Sequence, residues 1–287
     1  MKKIMKHAFL IIAHSDYELL HVLTGILDDI RCDIYIMVDK KSPLPRGLYV
    51  KHSRLFMLKN RIDVRWGHVS LIKAEMLLFK TALANGPYSY YHLLSGSDLP
   101  IKPMDYIFDF FEKNKGKEFV GFTQKTDWLE KVMKYQFFIR YYKMEGHLGT
   151  FIKSVSYRME HLANKLHKRS DDNFKKGSEW VSITDDFCRY LTSKRRWIFH
   201  RFRYTFCGDE IFLQTVLWNS PYKVNIYSLE GEFEGCQREI IWENDNPHVW
   251  GSASGDIEIL CKSSKLFARK FSSAYPDIIK EVVRIVK

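Results

Sequence analysis

The sequence predicts an α/β fold built on a central, mostly parallel sheet flanked by helices, and three observations carry that reading. Apolar runs of strand length alternate with helical periodicities through the first third of the chain, the pattern of βαβ units. The 287 residues are 46% hydrophobic, enough for one large domain with a sizeable core. Polar residues collect just after the predicted strands, where open α/β sheets bind ligands.

Taken in order, Ala8–Ala13 reads as a buried strand, and Tyr17–Asp29 as a helix with Leu19, Leu20, Leu23 and Leu27 on one face. Asp33–Val38 follows as a strand ending at Asp39 and completes one βαβ unit. Ser70 reads as the cap of a helix running to about Ala84. Tyr88–Leu94 is a second buried strand whose end carries Ser95, Gly96, Ser97 and Asp98. The basic, aromatic and helically patterned stretch Trp128–Arg169 lacks the Gly, Ser and Pro content of a linker and reads as an insertion or an acceptor-side subdomain. Then come a strand at Trp180–Ile183, a helix over Asp185–Ser193 and a helix opened by Gly208, Asp209 and Glu210. Lys223–Ser228 and Arg238–Trp242 read as short strands, and Leu266–Phe271 as the end of a basic helix. The whole is expected as one domain over 1–287: a nucleotide-binding half over about 1–125, the insertion over about 126–176, and an acceptor and catalytic half over about 177–287.

Composition narrows the partners. The net charge of +11 favours anionic ligands such as nucleotides, nucleic acid or acidic lipid head groups. Five scattered cysteines without a C-x-x-C pair signal neither zinc nor a disulfide scaffold, and suggest a reducing compartment. The first apolar run is far shorter than the roughly 20 residues of a membrane-spanning helix, so a cytoplasmic protein is expected, at most peripheral at the inner face of the cell membrane.

The chain has no P-loop, no dinucleotide-binding G-x-G-x-x-G, no H-E-x-x-H and no G-x-S-x-G, which removes support for several enzyme classes. It also has no strand-end D-x-D: Asp39 is followed by Lys40 and Lys41, leaving a single carboxylate where a metal diphosphate would be held. Glu210, beside Asp209 in a first helical turn, suits a general base, although acids there also simply complement the helix dipole. Arg238, Arg269 and Lys270 are candidate phosphate ligands or else a solvated basic helix end. His14 and Asp39 end the first two strands, where a base and ribose could be held or a loop merely capped. Trp66, Trp180 and Tyr135 could stack on a sugar or uracil or serve as core. Asp98 precedes Pro100 and suits a turn.

Seven segments read together resemble the core-2/I-branching N-acetylglucosaminyltransferase and peptide O-xylosyltransferase family. They are Ala8–His14, Val38-Asp39-Lys40-Lys41-Ser42, Val64-Arg65-Trp66-Gly67 with Ser70-Leu71, Leu94–Lys102, Gly177-Ser178-Glu179-Trp180, Asp209-Glu210-Ile211-Phe212 and Leu266–Phe271. The resemblance implies a GT-A-like nucleotide-diphospho-sugar transferase fold, a UDP-sugar donor, inversion at the anomeric carbon, and no metal or other cofactor. Residue by residue, it places the suspected base at Glu210 and a second catalytic acid at Glu179. It puts phosphate-binding cations at Arg269 and Lys270, with Arg238 a looser match, and uridine or donor-sugar contacts at Asp39 and Trp66. His14 and Asp98 lie on matched segments of the donor side, and Trp180 and Tyr135 are taken as acceptor contacts.

The chain departs from that family at Val132, where the branching enzymes have an acceptor-recognising arginine, so their acceptor specificity does not carry over. The expected partners are a UDP-sugar, a glycan or lipid-linked glycan acceptor, and an anionic membrane surface, with no nucleic acid. Two rivals remain at this stage: a sugar- or UDP-binding protein without catalysis, and a basic nucleic-acid-binding protein, for which no recognised motif is present.

Overall fold

The computed structural model describes residues 6–126, 128–137, 139–141, 144–166, 173–244 and 246–287. Strand β1 (His7–Ala13) is buried along its whole length. Helix α1 (Tyr17–Ile26) is capped by Asp16, whose carboxylate accepts from the Leu19 N–H at 3.2 Å. The helix stops before Asp29 because Asp28 and Asp29 are engaged outside it: Asp28 accepts the N–H groups of Lys51, His52 and Ser53, and Asp29 binds Arg31. β2 (Cys32–Val38) is buried throughout, and β3 (Arg54–Met57) forms the sheet edge.

Next come α2 (Ser70–Leu83), β4 (Tyr90–Ser95), β5 (Asp98–Pro100) and α3 (Met104–Lys113). Ser70 does not cap α2. Val69 occupies the cap position without a side-chain bond, and the Ser70 hydroxyl instead accepts from the Arg65 N–H at 2.8 Å, closing the preceding turn.

The insertion holds α4 (Leu129–Met133), a 3₁₀ turn at Ile139–Tyr141 and α5 (Gly146–Leu166); the end of the expected stretch, 167–169, lies outside the described residues. β6 (Ser182–Thr184) leads into α6 (Asp185–Ser193), α7 (Arg195–Phe202) and α8 (Asp209–Trp218).

The expected strand at Lys223–Ser228 is instead a 3₁₀ turn over Pro221–Asn225, because Pro221 favours a first helical turn and the Ser220 hydroxyl caps Tyr222 N–H. After α9 (Glu232–Cys236), the predicted strand at Arg238–Trp242 divides into β7 (Arg238–Ile240) and β8 (Trp242–Glu243). β9 (Asn246–Pro247), α10 (Asp256–Lys262), β10 (Phe267–Arg269) and α11 (Pro276–Val286) complete the chain. The segment expected to close a basic helix is therefore strand β10, held extended by pairing with β5 on one side and β7 on the other.

The main sheet has the order β3-β2-β1-β4-β6. Its β1–β2, β1–β4 and β2–β3 pairings are parallel, and only β4–β6 is antiparallel. The two-residue period of β1 sends Ala8, Leu10 and Ile12 into a core shared with α2, α6 and α8. Phe9, Ile11 and Ala13 enter a second core with α1, α3 and α11. Burial on both faces explains why β1 is apolar throughout. A smaller sheet, β5-β10-β7, lies alongside. The α/β architecture is the one expected.

Candidate functional site

The parallel strands deliver their C-terminal ends, and the loops after them, to one side of the sheet. There the Ser42 hydroxyl donates to the His14 carbonyl at 2.6 Å, tying the loop after β1 to the loop after β2. Asp39 is buried and accepts from the Lys41 N–H at 2.9 Å, with the Lys41 ammonium 2.6 Å from its carboxylate. The same ammonium reaches Asp63 at 2.9 Å and the Val64 carbonyl at 2.5 Å, so it links the end of β2 to the Arg65-Trp66-Gly67 turn. Trp66 is 55% exposed at that turn, its ring nearly perpendicular to that of Phe206 with centroids 5.0 Å apart.

Backbone hydrogen bonds stitch this turn to the two segments that carry the acids. The Gly67 carbonyl accepts from the Cys207 N–H at 2.9 Å, just before α8, and the Glu210 carbonyl accepts from the Gly177 N–H at 2.9 Å. Gly177 is required by close approach: a Cβ there would collide with the Gly121 carbonyl oxygen. Glu210 is half-buried, with the Lys176 ammonium 2.9 Å from its carboxylate.

Glu179 lies within electrostatic reach of Asp209, Arg269, Glu210 and Asp98, so it joins the catalytic candidates to the cationic side. Arg269 is aligned by β10: it pairs in register with Asp98 of β5 and donates to the Asp98 carboxylate at 2.8 Å. Its guanidinium rests 4.5 Å from the Trp180 ring centroid. Trp180 is buried in this stack, so it orients Arg269 rather than offering an open face to an acceptor. Lys270 is partly exposed, and its main chain pairs with His248 and Trp250.

Two predicted residues stand apart. The Arg238 guanidinium is buried, donates to the carbonyls of Cys236 and Val181 and to the Ser182 hydroxyl, and lies over Phe267. It faces the protein interior. Tyr135 sits in the insertion, its backbone hydrogen-bonded to Asn164 of α5 and its ring near Phe137 and Tyr204. Arg140 of the same insertion reaches Asp63 at 2.8 Å, which docks this subdomain beside the Lys41 link.

Burial shapes the charge of the acids. Glu179 is pushed well above the usual carboxylate range by burial and by Asp209, with Arg269 opposing. Asp209 rises to about 7, first by burial and then by Glu210. Glu75 of α2, which sequence reasoning did not single out, is pushed well above its ordinary value by burial, Glu179 and Asp209. Neither Glu75 carboxylate oxygen has a hydrogen-bond partner among the described residues. Glu232 is likewise raised by burial and by Glu210. Burial also raises Asp98, with the Arg269 cation and the Ser95 N–H acting against it. Burial and mutual repulsion both push these acids toward their neutral forms, which eases their crowding in a small volume. Among the described residues, no three His, Cys, Asp or Glu side chains are placed to hold a metal ion.

Lys176 was missed because a Lys-Lys pair before a glycine carries no distinctive pattern. Glu75 did leave a trace: it interrupts the apolar stripe of α2 between Ile72 and Phe79, where a solvent-facing acid does not belong.

Comparison with known proteins now identifies the relatives. The model of the family described as Core-2/I-Branching enzyme matches residues 7–249. The chain belongs to that family. The matched region of this branching-enzyme family member contains Glu75, Glu179 and Glu210, whereas Arg269 and Lys270 lie beyond it, and the β5–β10 pairing sets Arg269 opposite Asp98. The protein described as Xylosyltransferase oxt in Drosophila melanogaster is 26% identical over 200 residues, covering 66% of this chain and 21% of its own length. Its Drosophila pseudoobscura pseudoobscura counterpart is 25% identical over 200 residues with the same coverage. The chain thus spans about a fifth of the length of the curated relatives it matches. The crystal structure of mouse Xyloside xylosyltransferase 1 in its apo form aligns at a TM-score of 0.40 and 10% identity, covering 92% of this chain and 96% of that one. That likeness is too loose to bear on chemistry.

Proposed function

We propose that this branching-enzyme family member is an inverting glycosyltransferase that moves a sugar from a UDP-sugar to a hydroxyl of a glycan or lipid-linked glycan. The donor sugar is N-acetylglucosamine or xylose, the site of action is the cytoplasmic face of a bacterial membrane, and the product feeds surface polysaccharide. One observation supports the reading: the Glu179 carboxyl feels both the Arg269 guanidinium and Glu210, which is what a candidate base and a candidate diphosphate cation serving one reaction would require. The Drosophila relatives, described as xylosyltransferases, support a transferase of this class.

In this mechanism the Glu210 carboxylate accepts the proton of the acceptor hydroxyl. The acceptor oxygen forms a bond to the donor's anomeric carbon from the face opposite the leaving group, as the bond from that carbon to the diphosphate oxygen breaks. The electron pair leaves with UDP, and Arg269 with Lys270 stabilises the charge that grows on the diphosphate without a metal ion. Glu210, ion-paired to Lys176, suits the base better than Glu179, which burial and Asp209 hold toward its neutral form. A protonated Glu179 instead donates a hydrogen bond to a sugar oxygen. His14, Asp39 and exposed Trp66 form the uridine and donor-sugar side.

The test is a panel of UDP-sugars in the presence of EDTA, scored for thermal stabilisation and UDP release together. One UDP-sugar should stabilise the protein and turn over without added metal. A strict requirement for manganese, or full turnover by Glu210→Gln, defeats the mechanism.

A further inference from the structure

Helix α5 turns most of its large apolar side chains outward. A surface helix ordinarily buries its apolar stripe and exposes its polar residues. The buried residues of α5 are Gly149 and Ser156, with Ile152 and Ala163 half-buried, and two hydrogen bonds tie the helix to the preceding segment: Asn164 accepts from the Tyr135 N–H at 2.7 Å and Glu160 from the Phe137 N–H at 2.8 Å. Leu148, Phe151, Val155, Met159, Leu162 and Leu166 recur every three or four residues and form one continuous row on another side. Phe151 and Leu166 are 66% exposed, Leu148 60% and Leu162 57%. The helical repeat of ~3.6 residues sets Arg158 and Lys165 along the outer edge of this row. The carboxylate of α5, Glu160, is turned inward, where it also accepts from the Ser156 hydroxyl at 2.7 Å.

We infer that α5 is a membrane-docking helix that lies in the interface of an anionic lipid bilayer, with its apolar row among the acyl chains and Arg158 and Lys165 against acidic head groups. An exposed apolar row costs free energy in water and recovers it only when covered, on the order of 25 cal/mol for each Å² buried. The covering partner is identified by charge. A second copy of the chain would set the same cationic edge near itself, whereas an anionic lipid surface complements it. No helix among the described residues is long and apolar enough to cross a membrane, which leaves α5 lying on the surface. The inference gives the membrane contact of the proposed function a defined surface, yet vesicle binding is read without turnover and stands or falls separately from sugar transfer.

The test is co-sedimentation of the full chain with vesicles of equal parts phosphatidylglycerol and phosphatidylcholine, against phosphatidylcholine alone. The chain should bind the mixed vesicles, and Phe151→Ser with Leu162→Ser should weaken binding about tenfold or more. Arg158→Glu with Lys165→Glu should abolish the preference for the anionic vesicles. Because all four side chains are exposed, the variants should keep the native circular dichroism, and Phe151→Trp should shift its emission to the blue on binding. Unchanged binding by the Phe151/Leu162 variant, no binding by the native chain, or no emission shift overturns the inference. So does a dimer in sedimentation equilibrium that the same double substitution dissolves, since the row would then cover a second copy.

Discussion

Glu210 is held by Gly177 through its main chain, the Gly177 N–H donating to the Glu210 carbonyl at 2.9 Å. The residue before Gly177 supplies the ammonium that pairs with the Glu210 carboxylate, so one short segment fixes both the backbone and the side chain of the candidate base. Gly177→Ala tests this arrangement. Its Cβ would meet the Gly121 carbonyl oxygen, and relief requires the segment that holds Glu210 to shift. The expected cost is about 1–3 kcal/mol of stability, as for other overpacked sites. Turnover should fall by more than that loss of folded protein accounts for. A urea midpoint and specific activity equal to the native values would refute the tether.

Glu210→Gln removes the proton acceptor and preserves the shape. Turnover should fall by about 10² to 10⁴, the usual contribution of a general base, while calorimetry should find UDP affinity unchanged. Glu179→Gln gives the contrasting outcome: a carboxyl that already acts in its neutral form is replaced by another hydrogen-bond donor, so the loss should be much smaller. Equal losses for the two variants would rule out this division of roles.

The parts of the fold that were legible in the sequence are those fixed by local pattern. β1 and β2 were read from apolar runs and α6 from its periodicity, and each lies where expected to within a few residues. What escaped was decided by partners distant in the chain. Phe267–Arg269 has the composition of a basic helix end and becomes a strand because β5 and β7 supply its hydrogen bonds. The site divides in the same way. Glu210 and Asp39 were visible from their places in a helix's first turn and at a strand end, and Glu179 through the family resemblance, whereas the inward turn of Arg238 follows from the carbonyls of Cys236 and Val181, which no local pattern reports. The outward apolar row of α5 was likewise concealed, since periodicity gives the face of a helix and not the direction in which it points.

Arg269→Ala should weaken UDP binding by about 1.5–3 kcal/mol, roughly tenfold to over a hundredfold in Kd, because a charge-assisted phosphate contact is lost. It should also lower the melting temperature, since Asp98 would remain buried without its cation. Asp98→Asn should act in the same direction on UDP but more weakly, by loosening the guanidinium that Asp98 aligns. Titration calorimetry with UDP alone measures both. An Arg269→Ala variant with native UDP affinity would exclude Arg269 as a diphosphate ligand.

The buried acids make a prediction about pH whose sign follows from proton linkage. In the unfolded chain Asp209 and Glu75 lose their protons near pH ~4. In the folded protein Asp209 keeps its proton up to about 7, and Glu75 also titrates well above its ordinary range, both chiefly through burial. Between these limits the folded state binds more protons than the unfolded state, so stability falls as pH rises, by at most about 1.4 kcal/mol per pH unit for each group. The loss is complete once pH exceeds the folded-state values. Glu75→Gln removes the ionisable group from a site where neither carboxylate oxygen has a partner among the described residues. Its melting temperature should therefore lie close to the native one at pH 4 and progressively above it toward pH 8. Asp209→Asn should follow the same trend with its steepest part below pH 7. A constant difference between native and variant melting temperatures across that range would mean that these carboxyls are already ionised in the folded protein, and the neutral reading of the cluster would be wrong.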